Sequence, residues 1–596
     1  MFIPTTREEM GKLGWKVLDV VLVTGDAYMD SPFMGVSVIG KILMDRGFKV
    51  GIIAQPDIDS DRDITRLGEP RVFWGITGGA VDSMVANYTA SGKFRKQDDY
   101  TPGGVNNRRP DRAVIVYANL VRRFFKPTVP LVLGGIEASL RRIAHYDFWS
   151  NKIRRSILFD ARADYLVFGM GHASTLELAL ALKKGEDPSA IQGIAYITKT
   201  KKGLELPSFE EVQKDKKAYA ESFIQFYDNM DPVTAQGLCQ RHNDRFLKIN
   251  PPRPAPTTRE LDQIHDLNFE RDLHPFYRAM GDVRAMETIR FSIPTHIGCY
   301  GECNFCAIAV HQGRTVTSRS EASILREAEE LTRLPGFRGI ILDLGGPTAN
   351  MYGFECKKKL TQGACRDKRC LFPRICPSLK PDHSGQIRLL GKIQALDRVK
   401  KVFVNSGIRH DLILADRAHG RAYLERICKD HVSGQMKVAP EHTQTHVLDL
   451  MGKQNIQDLL EFKKAFDRIS AGAGKKQFLT YYFIAAHPGS TRQDMTAAKE
   501  FCREHLNIHP EQVQIFTPTP STFSSLMYYT GTRPLTGEKI FVEKDPREKE
   551  RQKEILTRKP GRSRKARPGK PVKKFPPLKK GFHPGKKSSP KNQRKP

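Results

Sequence analysis

Along the first 175 positions, apolar and polar residues come in alternating blocks. This is the pattern of strands buried on both faces and joined by amphipathic helices. Leu18-Asp19-Val20-Val21-Leu22-Val23-Thr24 is a short β-branched run that ends at Gly25-Asp26. Positions 35–46 then place Val36, Ile39, Ile42 and Leu43 at helical spacing, and Gly47 stands where a helix closes. Further strands are predicted at 48–54, 72–77, 130–133 and 165–168, the last three running into Gly78-Gly79, Gly134-Gly135 and Gly169-Met170-Gly171. Five such strands predict a doubly wound, flavodoxin-like α/β sheet over 1–175, with any ligand beyond the carboxyl ends of the strands. The turn Gly169-Met170-Gly171-His172-Ala173-Ser174 has only a superficial likeness to a dinucleotide fingerprint, because it closes the unit instead of opening it.

Residues 176–285 are charged and punctuated by proline, as in Pro251-Pro252-Arg253-Pro254-Ala255-Pro256, and read as a connecting region with some helices. The alternation then resumes. Strands are predicted at 290–293, 339–344, 401–405, 436–439, 478–485 and 512–517, with helical stretches such as 320–332 and 456–469 between them. Six β/α units predict a partial (β/α)6 barrel over 286–535, whose chemistry belongs where strands end. Residues 536–596 read as a basic, low-complexity, disordered tail.

Composition changes this picture in three ways. In 596 residues, 39% hydrophobic and 9% aromatic content excludes disorder throughout. No run of eighteen apolar residues is present to span a membrane, and the start Met1-Phe2-Ile3-Pro4-Thr5-Thr6 lacks the regions of a signal peptide, so a cytoplasmic location is expected. The net charge of +31 is concentrated at the end, where residues 558–596 carry sixteen Lys/Arg, eight prolines and no acid. Such a segment attracts polyanions, so RNA or ribosome contact is one expectation for it and a solvated, non-specific tail is the other.

Seven of the ten cysteines are clustered. Cys299-Tyr300-Gly301-Glu302-Cys303-Asn304-Phe305-Cys306 reads C-x3-C-x2-C directly after the first predicted barrel strand. Three thiolates this close suit three irons of one [4Fe-4S] cubane, leaving the fourth iron open; a zinc site, the alternative, needs a fourth ligand such as His296 or His311. Cys356, Cys365, Cys370 and Cys376 form a second group after the second barrel strand. Four thiolates there suit structural zinc or an auxiliary iron–sulfur cluster, and unligated thiols are the other reading. The surrounding Arg366, Lys368, Arg369 and Arg374 favour thiolates.

The C-x3-C-x-aromatic-C triplet resembles the signature of radical S-adenosylmethionine (SAM) enzymes. That resemblance implies that Cys299, Cys303 and Cys306 ligate the cluster, that its open iron chelates SAM, and that reductive cleavage yields a 5′-deoxyadenosyl radical. It also implies an electron donor such as flavodoxin or ferredoxin, and a place for Phe305 near the adenine. Asp343-Leu344-Gly345-Gly346-Pro347-Thr348 stands where the family has Gly-Gly-Glu, with Pro347 in place of Glu and Thr348 or Asn350 as substitutes. Asn405-Ser406-Gly407-Ile408-Arg409 stands where ribose or carboxylate contacts lie, which assigns Ser406 and Arg409 to SAM; His487-Pro488-Gly489-Ser490-Thr491 is similar to a Pro-Gly-x-Thr turn, which assigns Gly489. Together with Thr24-Gly25-Asp26-Ala27-Tyr28-Met29-Asp30, Gly134-Gly135-Ile136-Glu137-Ala138-Ser139 and Ala439-Pro440-Glu441-His442-Thr443, these stretches resemble the YgiQ-type radical SAM family over roughly 15–535.

The N-terminal sheet is similar to cobalamin-binding-like domains. Its first loop has no histidine of the Asp-x-His-x-x-Gly kind, so cobalamin is expected to be unlikely. Glu441 and His442 are candidates for proton transfer or for holding a polar substrate, with loop hydrogen bonding as the alternative role. The expected function is that of a radical SAM enzyme on an unassigned substrate, with RNA or ribosome modification suiting the charge. The rival is a nucleic-acid-binding or redox protein whose iron–sulfur centre is structural.

Overall fold

Strand β1 (Val20–Thr24) is buried at every position, which is why its sequence shows no period-two alternation. It is paired in parallel with β2 (Val50–Ala54) on one side and β3 (Phe73–Thr77) on the other. β4 (Leu131–Gly134) and β5 (Tyr165–Val167) continue in parallel beyond β3, giving the order β2-β1-β3-β4-β5 of a doubly wound sheet. The computed structural model describes residues 1–366 and 369–558. Residues 1–557 pack as one unit.

The sheet does not stop at five strands, and the reading of 176–285 as a connector is corrected. Strands β6 (Ile194–Thr198), β7 (Leu204–Leu206), β8 (Leu238–His242) and β9 (Arg245–Ile249) extend it in the order β5-β6-β9-β8-β7, making nine. β8 and β9 form an antiparallel hairpin, His242 opposite Arg245, with Asn243 at φ 54 in its two-residue turn. Polar residues disguised this hairpin. Gln240 is fully buried, and its side chain accepts from the Ala144 N–H at 2.9 Å and donates to the Pro207 carbonyl at 2.9 Å. A buried amide so satisfied costs little, but it breaks the apolar signal.

The second half repeats parallel pairing in chain order. β10 (Ser292–Pro294) pairs with β11 (Asp343–Gly345), and Ile340–Ile341 just before β11 pairs with β12 (Lys401–Val402). Ile408 bridges to Val438 in β13 (Gln435–Glu441), which pairs with β14 (Phe478–Ala485) and through it β15 (Gln512–Ile515). Helices return the chain between strands. One of them, Glu321–Arg333, is capped by Ser320 accepting from the Ser323 N–H and buries Ile324, Ala328 and Leu331 at helical spacing. All six strands therefore present their carboxyl ends on one side.

The boundary of the disordered tail at 536 is also corrected. Helix Pro546–Thr557 packs on helix Arg492–Phe501 and on β15. It buries Leu556, and Gln552 accepts from the Ala486 N–H at 3.0 Å and donates to the Ser490 carbonyl at 3.2 Å. Its charged sequence hid it, because only one narrow face is covered. The basic segment 559–596 lies outside the described residues. No helix among the described residues is long and apolar enough to cross a membrane.

Candidate functional site

β10 delivers the chain to Cys299 at the barrel mouth. Gly301 donates its N–H to Cys299 Sγ at 3.3 Å, and a Cβ at Gly301 would lie 3.3 Å from Cys299 Sγ and 3.6 Å from Cys303 Sγ. The absence of a side chain lets two sulfurs share one side of the loop. Cys306 closes the turn by donating its N–H to the Cys303 carbonyl at 3.0 Å. Burial pushes the Cys306 thiol up to about 12 and raises Cys299 as well, the neighbouring Cys303 adding to both. These are thiols that a bound cation would convert to thiolates.

The number and placing of the donors are compatible with a polynuclear cluster. A tetrahedral zinc with Zn–S near 2.3 Å needs sulfurs about 3.8 Å apart. Among the described residues the only three His, Cys, Asp or Glu ligand atoms within 4.8 Å of one another belong to Asp382, Asp416 and His419, so the triplet's sulfurs are more widely set. Each possible fourth ligand of a zinc site has its Nδ1 engaged, while the buried Nε2 of His296 has no hydrogen-bond partner among the described residues. His296 Nδ1 is 2.8 Å from Thr295 Oγ1, and His311 Nδ1 is 3.2 Å from Ser139 Oγ.

Four other strand ends converge on the triplet. After β12, Arg409 brings Nη1 to 3.9 Å from Cys303 Sγ. Burial would lower its pKa, but Asp411, paired with its guanidinium, outweighs this and keeps it charged. Asn350 fixes that loop from across the barrel, accepting from the Arg409 N–H at 2.8 Å and donating to its carbonyl at 3.0 Å. After β11, Thr348 Oγ1 is 3.6 Å from Cys299 Sγ. Gly345 accepts from the Thr295 N–H at 2.7 Å, and a Cβ at Gly346 would sit 2.6 Å from the His296 ring. Ser406 donates to Asp343, which also receives the Ser406 and Asn405 N–H groups.

Glu441 ends β13 at φ 70, a left-handed backbone unusual for Glu. Burial pushes its carboxyl up to about 7 against the opposing pull of Lys453, whose Nζ is 3.9 Å away, and of Arg409. His442 is different. Its Nε2 is 3.2 Å from Ser490 Oγ and its Nδ1 accepts from the Gln444 N–H at 3.1 Å, so both ring nitrogens are used by the loops. Gly489 also faces the scaffold, since a Cβ there would meet Leu450 at 2.3 Å. Phe305 packs edge-on to His487 with centroids 6.3 Å apart. Sequence reasoning gave no role to Asp343, Asp411 and Lys453; Asp343 opens β11, Asp411 lies in helix His410–Ala415 and Lys453 follows helix Thr445–Met451, none with a local signal of its own.

The second cysteine group is assembled as well. Cys356, Cys365, Cys370 and Cys376 line one pocket with Glu302, Lys358, Lys359 and Arg369. At the carboxyl end of the N-terminal sheet, Asp26 and Asp98 share the buried Arg109 at 2.7 and 3.0 Å, and Asp26 also accepts from the Ala80 N–H. Asp30 pairs with Lys41 at 3.0 Å, and Tyr28 Oη accepts from the Ile3 N–H at 3.0 Å.

Comparison with known proteins accords with this geometry. Residues 2–292 match the model of the radical SAM N-terminal family. A UPF0313 protein of Fusobacterium nucleatum is 56% identical over 561 residues, covering 94% of this chain and 99% of that one. A UPF0313 protein of Thermotoga maritima is 48% identical over 571 residues, covering 95% and 100%. Among solved structures, the radical SAM methyltransferase TsrM from Kitasatospora setae, with cobalamin and a [4Fe-4S] cluster bound, is similar with a TM-score of 0.51 at 15% identity, over 89% of this chain and 84% of that one. That likeness corrects the expectation against cobalamin. In TsrM this fold has been solved with cobalamin bound.

Proposed function

This chain belongs to the UPF0313 family of radical SAM proteins, and we propose that Cys299, Cys303 and Cys306 hold a [4Fe-4S] cluster at which SAM is bound and cleaved. The observation that carries this reading is the convergence of three half-buried thiols and a largely buried guanidinium at the carboxyl ends of six parallel strands. When bound, the reduced cluster supplies the single electron for reductive cleavage of SAM to methionine and a 5′-deoxyadenosyl radical.

The protein's own groups do the rest. Arg409 offsets the negative charge of the thiolates, and Asn350 fixes the loop that carries it. Gly345 and Gly346 stand where backbone would meet the SAM amino group, and Ser406, held by Asp343, lies beside Gly345. Glu441, poised near neutrality, holds a proton at its carboxyl beside the sulfurs. Phe305 and His487 close one wall against water.

The test is low-temperature EPR of the anaerobically reconstituted, reduced chain with and without SAM. A [4Fe-4S]⁺ signal reshaped by SAM is expected, and its loss in the variant Cys303→Ala. A signal indifferent to SAM would instead favour a structural or electron-transfer centre.

A further inference from the structure

We propose that Cys356, Cys365, Cys370 and Cys376 hold a second iron–sulfur cluster, one with four protein ligands, on the outer side of the triplet loop. Four observations carry this independently of the SAM reading.

The first is convergence. These cysteines are separated by eight, four and five residues, yet all four line a single pocket. Cys356 and Cys376 are buried at 6% and 8% exposure, and Cys365 and Cys370 are half-buried.

The second is spacing. No three of the four sulfurs lie within 4.8 Å of one another, wider than the 3.8 Å or so that a tetrahedral zinc imposes. A polynuclear core, whose thiolates each bind a different iron, does not need three sulfurs that close together.

The third is charge. Lys358, Lys359 and Arg369 line the same pocket against one carboxylate, Glu302, and Lys359 Nζ lies 3.7 Å from Cys370 Sγ. A four-thiolate cluster is net negative, and these cations supply the counter-charge in a partly buried site.

The fourth is the loop itself. Between β11 and helix Ser384–Gln394 the chain spends thirty-eight residues, with one six-residue helix, Lys357–Gln362, among those described. A connection that long in a packed unit needs something to order it. Its apolar support is a small cluster around Tyr300, Phe354, Leu371 and Leu379, and its distant anchors include the Ala364 N–H donating to Asp231 at 3.0 Å and the Gln454 amide donating to the Leu371 carbonyl at 2.9 Å. A metal centre would staple it.

The two sites share a wall. Along the triplet loop, Cys299 and Cys303 face Arg409, while Glu302, held at φ 44, turns its carboxylate to the second pocket and Arg369 donates to the Glu302 carbonyl at 2.7 Å. Filling the second site therefore orders the loop that carries the first.

The full chain should be reconstituted anaerobically with iron and sulfide and assayed for iron, sulfide and zinc, with Mössbauer spectra. The triple variant Cys299→Ala, Cys303→Ala, Cys306→Ala is expected to keep about half of the iron and sulfide of the parent, as a four-iron cluster whose EPR is untouched by SAM. The double variant Cys365→Ala, Cys370→Ala is expected to lose the other half. A triple variant that binds no iron, or that holds zinc without sulfide, overturns the proposal. Should the double variant misfold, the triple variant still decides. A parent whose EPR ignores SAM would sink the SAM reading and leave this iron count intact.

Discussion

At the scale of single residues, Glu441 and Asn350 give the sharpest expectations. Glu441 titrates near 7 in the fold against 4.5 when free, because burial disfavours its charge. The folded protein thus keeps that proton longer than the unfolded chain does. Stability is unaffected below pH 4.5, falls as pH rises from 4.5 to 7, and is level above. In metal-free protein, Glu441→Gln should remove this slope and gain about 3 kcal/mol on the parent between pH 4.5 and 8, read from urea melts at both values. Asn350→Ala strips partners from both the N–H and the carbonyl of Arg409. It should cost about 2–4 kcal/mol in the same melts, two buried backbone groups being left unpaired. Gly346→Ala puts a methyl group against the His296 ring, and the imidazole must move. Of the two residues at Glu441-His442, the structure engages the imidazole fully with Ser490 and Gln444, while the carboxylate has Lys453 at 3.9 Å and feels the charge of Arg409.

Among elements, helix Pro546–Thr557 has the least obvious role. Gln552 reaches from it to both ends of the turn that carries His487 and Gly489, so this helix is a brace under the end of β14. A chain ending at Thr557 should melt with the full-length protein. A chain ending at Asp545 should melt about 5 °C or more lower, since Leu556 and its neighbours lose their cover. Thermal melts of the three lengths check this. Gln552→Ala alone tests the hydrogen bonds without removing the apolar face.

For the molecule as a whole, charge and architecture act at different ranges. The two sheets set up the barrel mouth over short distances, whereas sixteen of the chain's positive charges lie in 558–596. A chain ending at Thr557 should elute from a heparin column at distinctly lower salt than the full chain, because fewer counterions are displaced on binding. Equal elution would place the polyanion affinity on residues 1–557.

The sequence by itself determined whatever rests on local periodicity and spacing. The first five strands, the six barrel strands and the helices near 320–332 and 456–469 were legible because each buries a continuous face, and that is written in neighbouring residues. The cysteine triplet was legible for the same reason, its three thiols lying within one loop. Tertiary structure decided the rest. The hairpin Leu238–Ile249 joins the first sheet through a buried Gln240 that no hydrophobic pattern reveals. Arg409 meets Cys303 only because β10 and β12 open on the same side of a parallel barrel, 106 positions apart in sequence. Four cysteines scattered over twenty-one positions share one pocket only because the loop after β11 folds back on the triplet. Periodicity records which face of an element is buried; what that face meets depends on chain topology, and the chemistry of this site lies in those meetings.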